Sequence, residues 1–505
     1  MCKIVLEKNM QDFLLQQIEK EIPLEIFLDT QVNKEILKKD IYDRVVNAFE
    51  GYQRYGMKKD INKDTLKEEA KKISYEITSK KILSREFGIK ERYIFVGTDI
   101  IIISPQESFP HDEDTENLIK KQSDERLVIE KADIRLFSQF PLHFIQCDFQ
   151  CEIKNTFWNY LECENLSFEN CNFYKEVYFW FQKNFKLLIM ENCYFHNKVY
   201  FSGVFKENAF FNNSHFKDYV DFCACEFEKI ACFYGVSFEK IPNFSQVVFK
   251  DNTNLVNVKA NFDFRNLNIA IKNINKLKDE AANDFRDYFR IFKNILIKDN
   301  NLLDASKFHK YELYCKEIEL EEKKSKIFSK EWIDKWQLVF YRKLCDHHTD
   351  ILQSLNSLIL VIGIFGVLNL AIIIGFNCYL GYKPILEHLY FSLDFYNFHI
   401  KPLIENNHLF IMFVNFIILF VYLILVGFAL CEKYIRKFFI TISYVITFFI
   451  MVTSPKILIP AMGIFTDKRV MLDPLSVLGG IYTIIFGFVV YSFIKTIRKN
   501  SIVPS

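Results

Sequence analysis

Asn212–Phe238 reads NNSHFKDYVDFCACEFEKIACFYGVSF, and the spacing of its phenylalanines decides the fold. Phe216, Phe222, Phe227, Phe233 and Phe238 stand six, five, six and five residues apart. Followed outward, the ladder begins at Phe205 and Phe211 and runs on through Phe244 and Phe249 to Leu255, with a period of eleven. Earlier members are less regular: Phe168, Phe173, Phe179, Phe185, Met190, Phe195 and Phe201. A helix repeats every ~3.6 residues and a strand every ~2, so neither yields such steps. A fixed internal period is instead the mark of a repeat architecture.

A second rule runs beside the first. Two residues before the ladder positions stand Gly203, Ala209, Ser214, Val220, Cys225, Ala231, Val236, Pro242, Val247 and Thr253, with Cys171 and Cys193 before Phe173 and Phe195. A side chain entering a narrow coil beside a large ring has room only for something small. On these residues the stretch resembles the pentapeptide-repeat family over roughly Ile134 to Phe264. The resemblance implies a right-handed quadrilateral β-helix with phenylalanines stacked inside and about five or six coils. Lys183–Leu188 breaks the small-residue rule, and a bulge is expected there. Some members of that family mimic duplex DNA, which needs an acidic face. Between Arg135 and Arg265 there are 15 acidic and 13 basic residues, so no nucleic-acid role is expected.

The chain therefore divides, from sequence, into a mainly helical region over 1–130, the repeat over 131–266, a helical hairpin with an interfacial helix over 272–345, and a membrane domain over 346–505. Tyr93–Ser104 (YIFVGTDIIIIS) is a candidate cap for the open end of the β-helix, near 93–104, where unpaired backbone would otherwise invite aggregation. In the hairpin, Phe285, Tyr288, Phe289 and Phe292, then Ala305, Phe308, Leu313 and Ile318, recur at helical spacing, and Asp299-Asn300-Asn301 breaks the two helices. The pair resembles one tetratricopeptide-like unit. The run NNLLDASKFHKYEL is similar to the joint in bacterial proteins that combine pentapeptide repeats with a membrane domain, which in some relatives resembles a two-helix potassium-channel pore.

Spans are expected at about 351–380, 409–430, 438–455 and 475–494, each close to the ~20 apolar residues that a bilayer core requires. Arg342, Lys343, Lys433, Arg436, Lys437, Lys495, Arg498 and Lys499 lie on one side, against Lys383, Lys401, Lys456, Lys468 and Arg469 on the other. That bias places both termini in the cytoplasm, and the family resemblance implies a bacterial inner membrane, crossed several times. Trp332, Trp336 and Tyr341 fit a helix at headgroup level. Gly479, Gly480 and Gly487 read as an inner pore helix or as close helix packing, and 454–473 as a candidate re-entrant loop. No TVGYG-like filter is present. Asn356, Asn369 and Asn415 are the strongest polar groups in the spans.

Composition excludes more than it names. Of 505 residues, 64 are basic and 63 acidic, a net charge of +1 that predicts no strongly charged partner. Mean hydropathy is +0.03, an average over polar and strongly apolar thirds. The start, MCKIVLEKNMQDF, lacks the pattern of a signal peptide, so its 13 cysteines are expected as reduced thiols. No CxxC, P-loop, GxSxG or HExxH occurs. His111-Asp112-Glu113-Asp114, His309 with Glu312, and His347-His348 are read as surface, packing and interfacial groups. No enzyme, cofactor or metal site is expected. The expectation is a membrane-anchored scaffold or sensor with an unidentified protein partner and a candidate homo-oligomer, or else a channel or membrane-permeabilising effector gated by the cytoplasmic module.

Overall fold

The computed structural model describes all but residues 1–5, 22–33, 55–60, 106–124, 155–162, 275, 324, 382–392, 432, 454–457, 459–471 and 501–505. It forms two compact units, Met1–Ala270 and Ile271–Ser505.

The first unit opens with helices α1 (Lys8–Glu21), α2 (Lys34–Arg54) and α3 (Lys63–Phe87). They share a buried cluster of Leu14, Ile18, Ile41, Val45, Phe49, Leu66 and Ile77. Asn62 and Thr65 cap α3 reciprocally, and Gly88 ends it at φ 69°. Strands β1 (Ile94–Val96) and β2 (Ile101–Ile103) form an antiparallel hairpin, and β2 pairs in parallel with Leu142–Ile145. This hairpin falls within 93–104 and adds a strand to the edge of the first coil. Phe87 of α3 and Phe137 of the short helix α4 (Ile134–Gln139) lie 5.4 and 6.0 Å from the ring of Phe144, so the apolar end of the coil is sealed by aromatic side chains.

From there the chain winds a β-solenoid of about 5 turns. Neighbouring coils pair in parallel with like residues in register, as Phe205 with Phe227 and Phe227 with Phe249. The ladder residues are stacked inside in four columns. One runs Phe149, Phe173, Phe195, Phe216, Phe238, with ring centroids 4.6–5.5 Å apart. Another runs Phe179, Phe201, Phe222, Phe244, and a third Phe185, Phe205, Phe227, Phe249. Rings of adjacent columns meet edge to face, as Phe211 against Phe222 at 86°.

The alternating step has a backbone cause. Each five-residue step crosses a tight turn whose fourth-residue N–H returns to the ladder carbonyl: Ser214 to Phe211, Cys225 to Phe222, Val236 to Phe233, Val247 to Phe244. The third residue of each turn is left-handed: Asn213, Ala224, Gly235 and Gln246 have φ between 54° and 68°. That is a type II turn, which favours Gly or Asn at this place. The six-residue steps pass through open bends with one extra residue. Asn170, Asn192, Asn213, Gly235 and Asn257 therefore stack along one corner, all with positive φ. At Gly235 a Cβ would come within 2.3 Å of the Asn213 amide oxygen, so a side chain there would have to displace that of Asn213.

The small-residue rule also has its partner atoms. Cys171 and Cys193 donate their thiols to the carbonyls of Phe144 and Phe168 on the preceding coil at 3.4 Å, and the Ser214 hydroxyl donates to Met190 at 2.9 Å. Burial pushes the Cys193 thiol well up, which keeps it a hydrogen-bond donor. The irregularity falls at the start of the expected segment: Ser202 pairs with Trp180 but Val204 with Asn184, so the earlier strand carries two extra residues between those pairs, and pairing is regular again from Phe185 to Leu188. Helix α5 (Phe264–Lys272) follows the last strand.

The second unit begins with the helical hairpin, α6 (Lys278–Lys298) and α7 (Leu302–Glu322). Asn300 makes the left-handed turn between them (φ 59°), and the Asn301 side chain caps α7. Helix α6 buries the expected Phe285, Tyr288, Phe289 and Phe292. Helix α7 departs from expectation: Leu313 is only half-buried, while Tyr311, Tyr314, Cys315 and three glutamates are buried. Its apolar stripe is weak because it is enclosed on more than one side. Helix α8 (Lys330–Cys345) leads into the span-capable helices α9 (Ile351–Tyr379), α10 (His408–Cys431), α11 (Lys433–Thr453) and α12 (Pro474–Asn500).

These four are long and apolar enough to cross a membrane, with mean hydropathies of 2.8, 3.0, 1.8 and 2.1. Their core joins Leu360, Val361, Phe365, Tyr422, Val426, Tyr482 and Val489, with Phe365 stacked on Tyr482 at 3.9 Å. The glycines that matter lie in α9 rather than α12. A Cβ on Gly363 would stand 2.6 Å from the Cα of Ser443, and one on Gly366 2.8 Å from Ile450. Gly480 and Gly487 face open space. Close helix packing is thus seen at Gly363 and Gly366 of the first span and not at Gly480 or Gly487 of the last, where Gly479 is buried.

Candidate functional site: the juxtamembrane junction

Three glutamates of α7 are buried and each is clamped by bases. Glu317 is fully buried and accepts two bonds from Arg342 of α8, at 2.6 and 2.8 Å. Burial pushes its carboxyl up, and the guanidinium opposes that rise. Glu312 holds Arg290 and Lys293 of α6 at 2.9 and 2.8 Å and His309 at 3.1 Å. Burial alone would raise its pKa, but those hydrogen bonds outweigh it and leave the carboxyl at about 2. Glu319 pairs with Arg286 of α6 and with Lys316 and Lys323. The expected hairpin is thus fastened by buried ion pairs as well as by rings, and His309 and Glu312 are part of that fastening.

Helix α8 ends where α7 and the spans meet. Asp346, His347 and His348 are consecutive left-handed residues, at φ 49°, 56° and 65°. None is glycine, and such a run persists only when its surroundings over-determine it. The surroundings are specific. The N–H groups of Asp346 and His347 return to Arg342 and Tyr341 of the last turn of α8. The Asp346 carboxylate accepts from the Tyr314 hydroxyl and, at 3.2 Å, from Lys310, both on α7.

Both imidazoles are buried, at 3 and 9 % exposure, between α8, α7 and α12. The His347 ring lies 5.6 Å from Tyr314, and its Nε2 has no hydrogen-bond partner among the described residues. Nδ1 of His348 lies 3.4 Å from the Cys345 thiol, 3.1 Å from the Thr496 hydroxyl and 3.5 Å from Ser492, the last two on α12. Burial pulls His347 down to about 3 and His348 down to about 4, with Lys495 and Lys499 adding to the latter. Both rings are neutral at pH 7.

The last turn of α8 gathers the other spans. Arg436 at the start of α11 donates to the Lys343 carbonyl at 2.6 Å, to Gln353 at 3.3 Å and to the Ser357 hydroxyl at 2.9 Å. Gln353 in turn donates to the carbonyls of Arg342 and Lys343, and Lys499 of α12 to that of His347. The strained turn thus ties α7, α8 and α12, and the last turn of α8 just before it holds α9 and α11. Comparison with family models, curated proteins and solved structures finds no match to this chain. The reading of this junction rests on its geometry alone.

Sequence reasoning found His347-His348 and the cation positions but missed their convergence. No group of three or more His, Cys, Asp or Glu able to hold a metal ion occurs among the described residues. Of the polar span residues, Asn356 accepts from Tyr444 at 3.1 Å and Asn415 donates to the Leu472 carbonyl at 2.7 Å, while Asn369 is buried. The acidic cluster 111–114 and most of the 454–473 loop lie outside the described residues. Asp473 caps α12 through Ser476.

A separate surface belongs to the solenoid. On one side, Asp148, Asn172, Tyr194, His215, Ser237 and Lys259 follow each other in register, one per coil. Beside them Tyr174 stacks on His196 at 4.6 Å, and Glu239 meets His215 at 2.8 Å. Tyr194 is 42 % exposed on this mixed aromatic and charged face.

Proposed function

We propose that this chain is a membrane-anchored pentapeptide-repeat protein, a non-enzymatic scaffold or sensor that works through protein contacts of its β-solenoid. The observation that carries the reading is the junction. A solenoid with an outward row of Tyr, His and charged groups is joined in one chain to membrane-capable helices, and the end of α8 with the strained turn after it fastens the intervening hairpin to three of them. A partner held on the solenoid would therefore be tethered to the membrane, and load on the hairpin would reach the spans through Asp346–His348. The distribution of Lys and Arg supports both termini on the cytoplasmic side, and the family resemblance supports a bacterial inner membrane.

The test is photocrosslinking in cells from single sites on the solenoid row, such as Tyr194 and His215, against control sites on the opposite coil face. The expected outcome is one protein recovered in high yield from the row alone. Equal, diffuse crosslinking from both faces would sink the scaffold reading. Ion flux from liposomes carrying the purified chain would replace it with a channel.

A further inference from the structure

We propose that helix α8 lies against the bilayer surface and binds anionic lipid, with an aromatic stripe at the glycerol level and lysines on the headgroup phosphates. The stripe is Phe328, Trp332, Trp336 and Phe340, one residue every four, with ring centroids 5.3 Å apart for the first pair and 6.1 Å for the second. Trp332, Trp336 and Phe340 share one face of α8, and Phe328, just before its N-cap Ser329, packs onto Trp332 at the start of that face. Phe328 is 79 % exposed, Trp336 52 % and the neighbouring Ile333 51 %, so within the second unit the described residues leave this stripe largely uncovered. Tyr341, which sequence grouped with the tryptophans, is half-buried and packs against the core of the spans.

What covers the stripe follows from the level at which α8 ends. Its last residues, Leu344 and Cys345, belong to the same buried core as Leu360, Tyr422, Tyr482 and Val489 of the spans. Lys343 and His347 accept bonds there from Arg436 and Lys499, the basic residues at the ends of α11 and α12. Basic residues at the ends of membrane-crossing helices mark the headgroup layer. The stripe is thus continuous with the surface the spans present to lipid. The opposite side of α8 is occupied, since Arg342 is held by Glu317 of α7. Trp and Phe suit the glycerol level, where an amphipathic ring meets both phases, and Lys326, Lys330 and Lys335 beside them supply charge for phosphate. The inference goes beyond the anchoring described above and rests on it.

The experiment uses the full chain in nanodiscs of mixed phosphatidylglycerol and phosphatidylcholine. Of the four tryptophans, Trp158→Phe and Trp180→Phe leave only those of α8. Spin-labelled lipids carry the quencher either near the glycerol or near the acyl end. The shallow label is expected to quench about twofold more strongly than the deep one, as for a helix in the interface plane. Lys326→Gln, Lys330→Gln and Lys335→Gln together are expected to lower that quenching to the level seen in phosphatidylcholine alone. Quenching by neither label, stronger quenching by the deep one, or crosslinks between the stripes of two copies would each overturn the proposal. Loss of the chain from membranes after an alkaline wash would instead overturn the anchoring itself.

Discussion

The solenoid and the membrane-capable bundle both pack aromatic rings, and they do so under opposite constraints. In the solenoid Phe222 has Phe201 on one side at 4.6 Å and Phe244 on the other at 4.7 Å, and the same environment recurs on every coil. A departure such as Met190 or Leu255 at a ladder position is absorbed by its neighbours in the column. In the bundle each contact occurs once. Gly363 meets Ser443 and Phe365 stacks on Tyr482, and no second copy shares the load. Repetition spreads the consequence of a change along a column, whereas the bundle concentrates it at a point.

The comparison breaks first at the core of the solenoid. Phe222→Ala in the detergent-solubilised chain is expected to destabilise the solenoid by about 3–5 kcal/mol, read by hydrogen exchange of neighbouring coils. Phe249, on a more exposed coil near the end, is expected to cost less. Equal effects at both positions would show that the columns do not share load as described.

The hairpin offers a point-like counterpart of similar size. Glu317→Ala leaves Arg342 buried without its partner and is expected to cost about 3–5 kcal/mol, with faster exchange along α7 and α8. Glu317→Leu combined with Arg342→Met is expected to recover most of that loss. Failure to recover would mean that the pair sets more than stability, namely the register of α7 on α8.

Acid sharpens the contrast further, because the solenoid face carries its histidines near solvent while the junction buries them. In the unfolded chain His347 and His348 titrate near 6.5, against about 3 and about 4 when folded. The unfolded state therefore binds more protons below pH 6.5. Stability of the junction is full above that pH and falls until the folded values are reached, by about 2 kcal/mol per imidazole at pH 5. Glu312 is lowered instead, to about 2, so its contribution is lost only as pH falls below the ordinary carboxylate range. His347→Asn with His348→Asn is expected to flatten the loss between pH 6.5 and 4, measured by proteolysis at the turn. An unchanged slope would assign it elsewhere.

The smallest expected effect separates two glycines. Gly363→Ala drives a methyl into Ser443 and is expected to cost about 1–3 kcal/mol, seen as a lower melting temperature in detergent. Gly480→Ala meets open space and is expected to leave the melting temperature unchanged or slightly raised.

The sequence by itself determined the parts of this protein whose physics is local or periodic. The five-and-six step of the phenylalanines specified the solenoid because each residue meets its equivalent one coil away. Apolar length alone marked the four span-capable helices, since a bilayer core demands it. The turn at Asp299–Asn301 was legible from asparagine chemistry. Tertiary structure decided everything that depends on residues distant in the chain meeting once. Thr496 and Lys499 of α12 reach His347–His348 while Arg436 of α11 reaches the Lys343 carbonyl just before that turn, and Gly363 and Gly366 of α9 sit against α11 more closely than Gly480 and Gly487 of α12 sit against anything. Such contacts leave no period and no spacing, because their partners are chosen by packing in three dimensions.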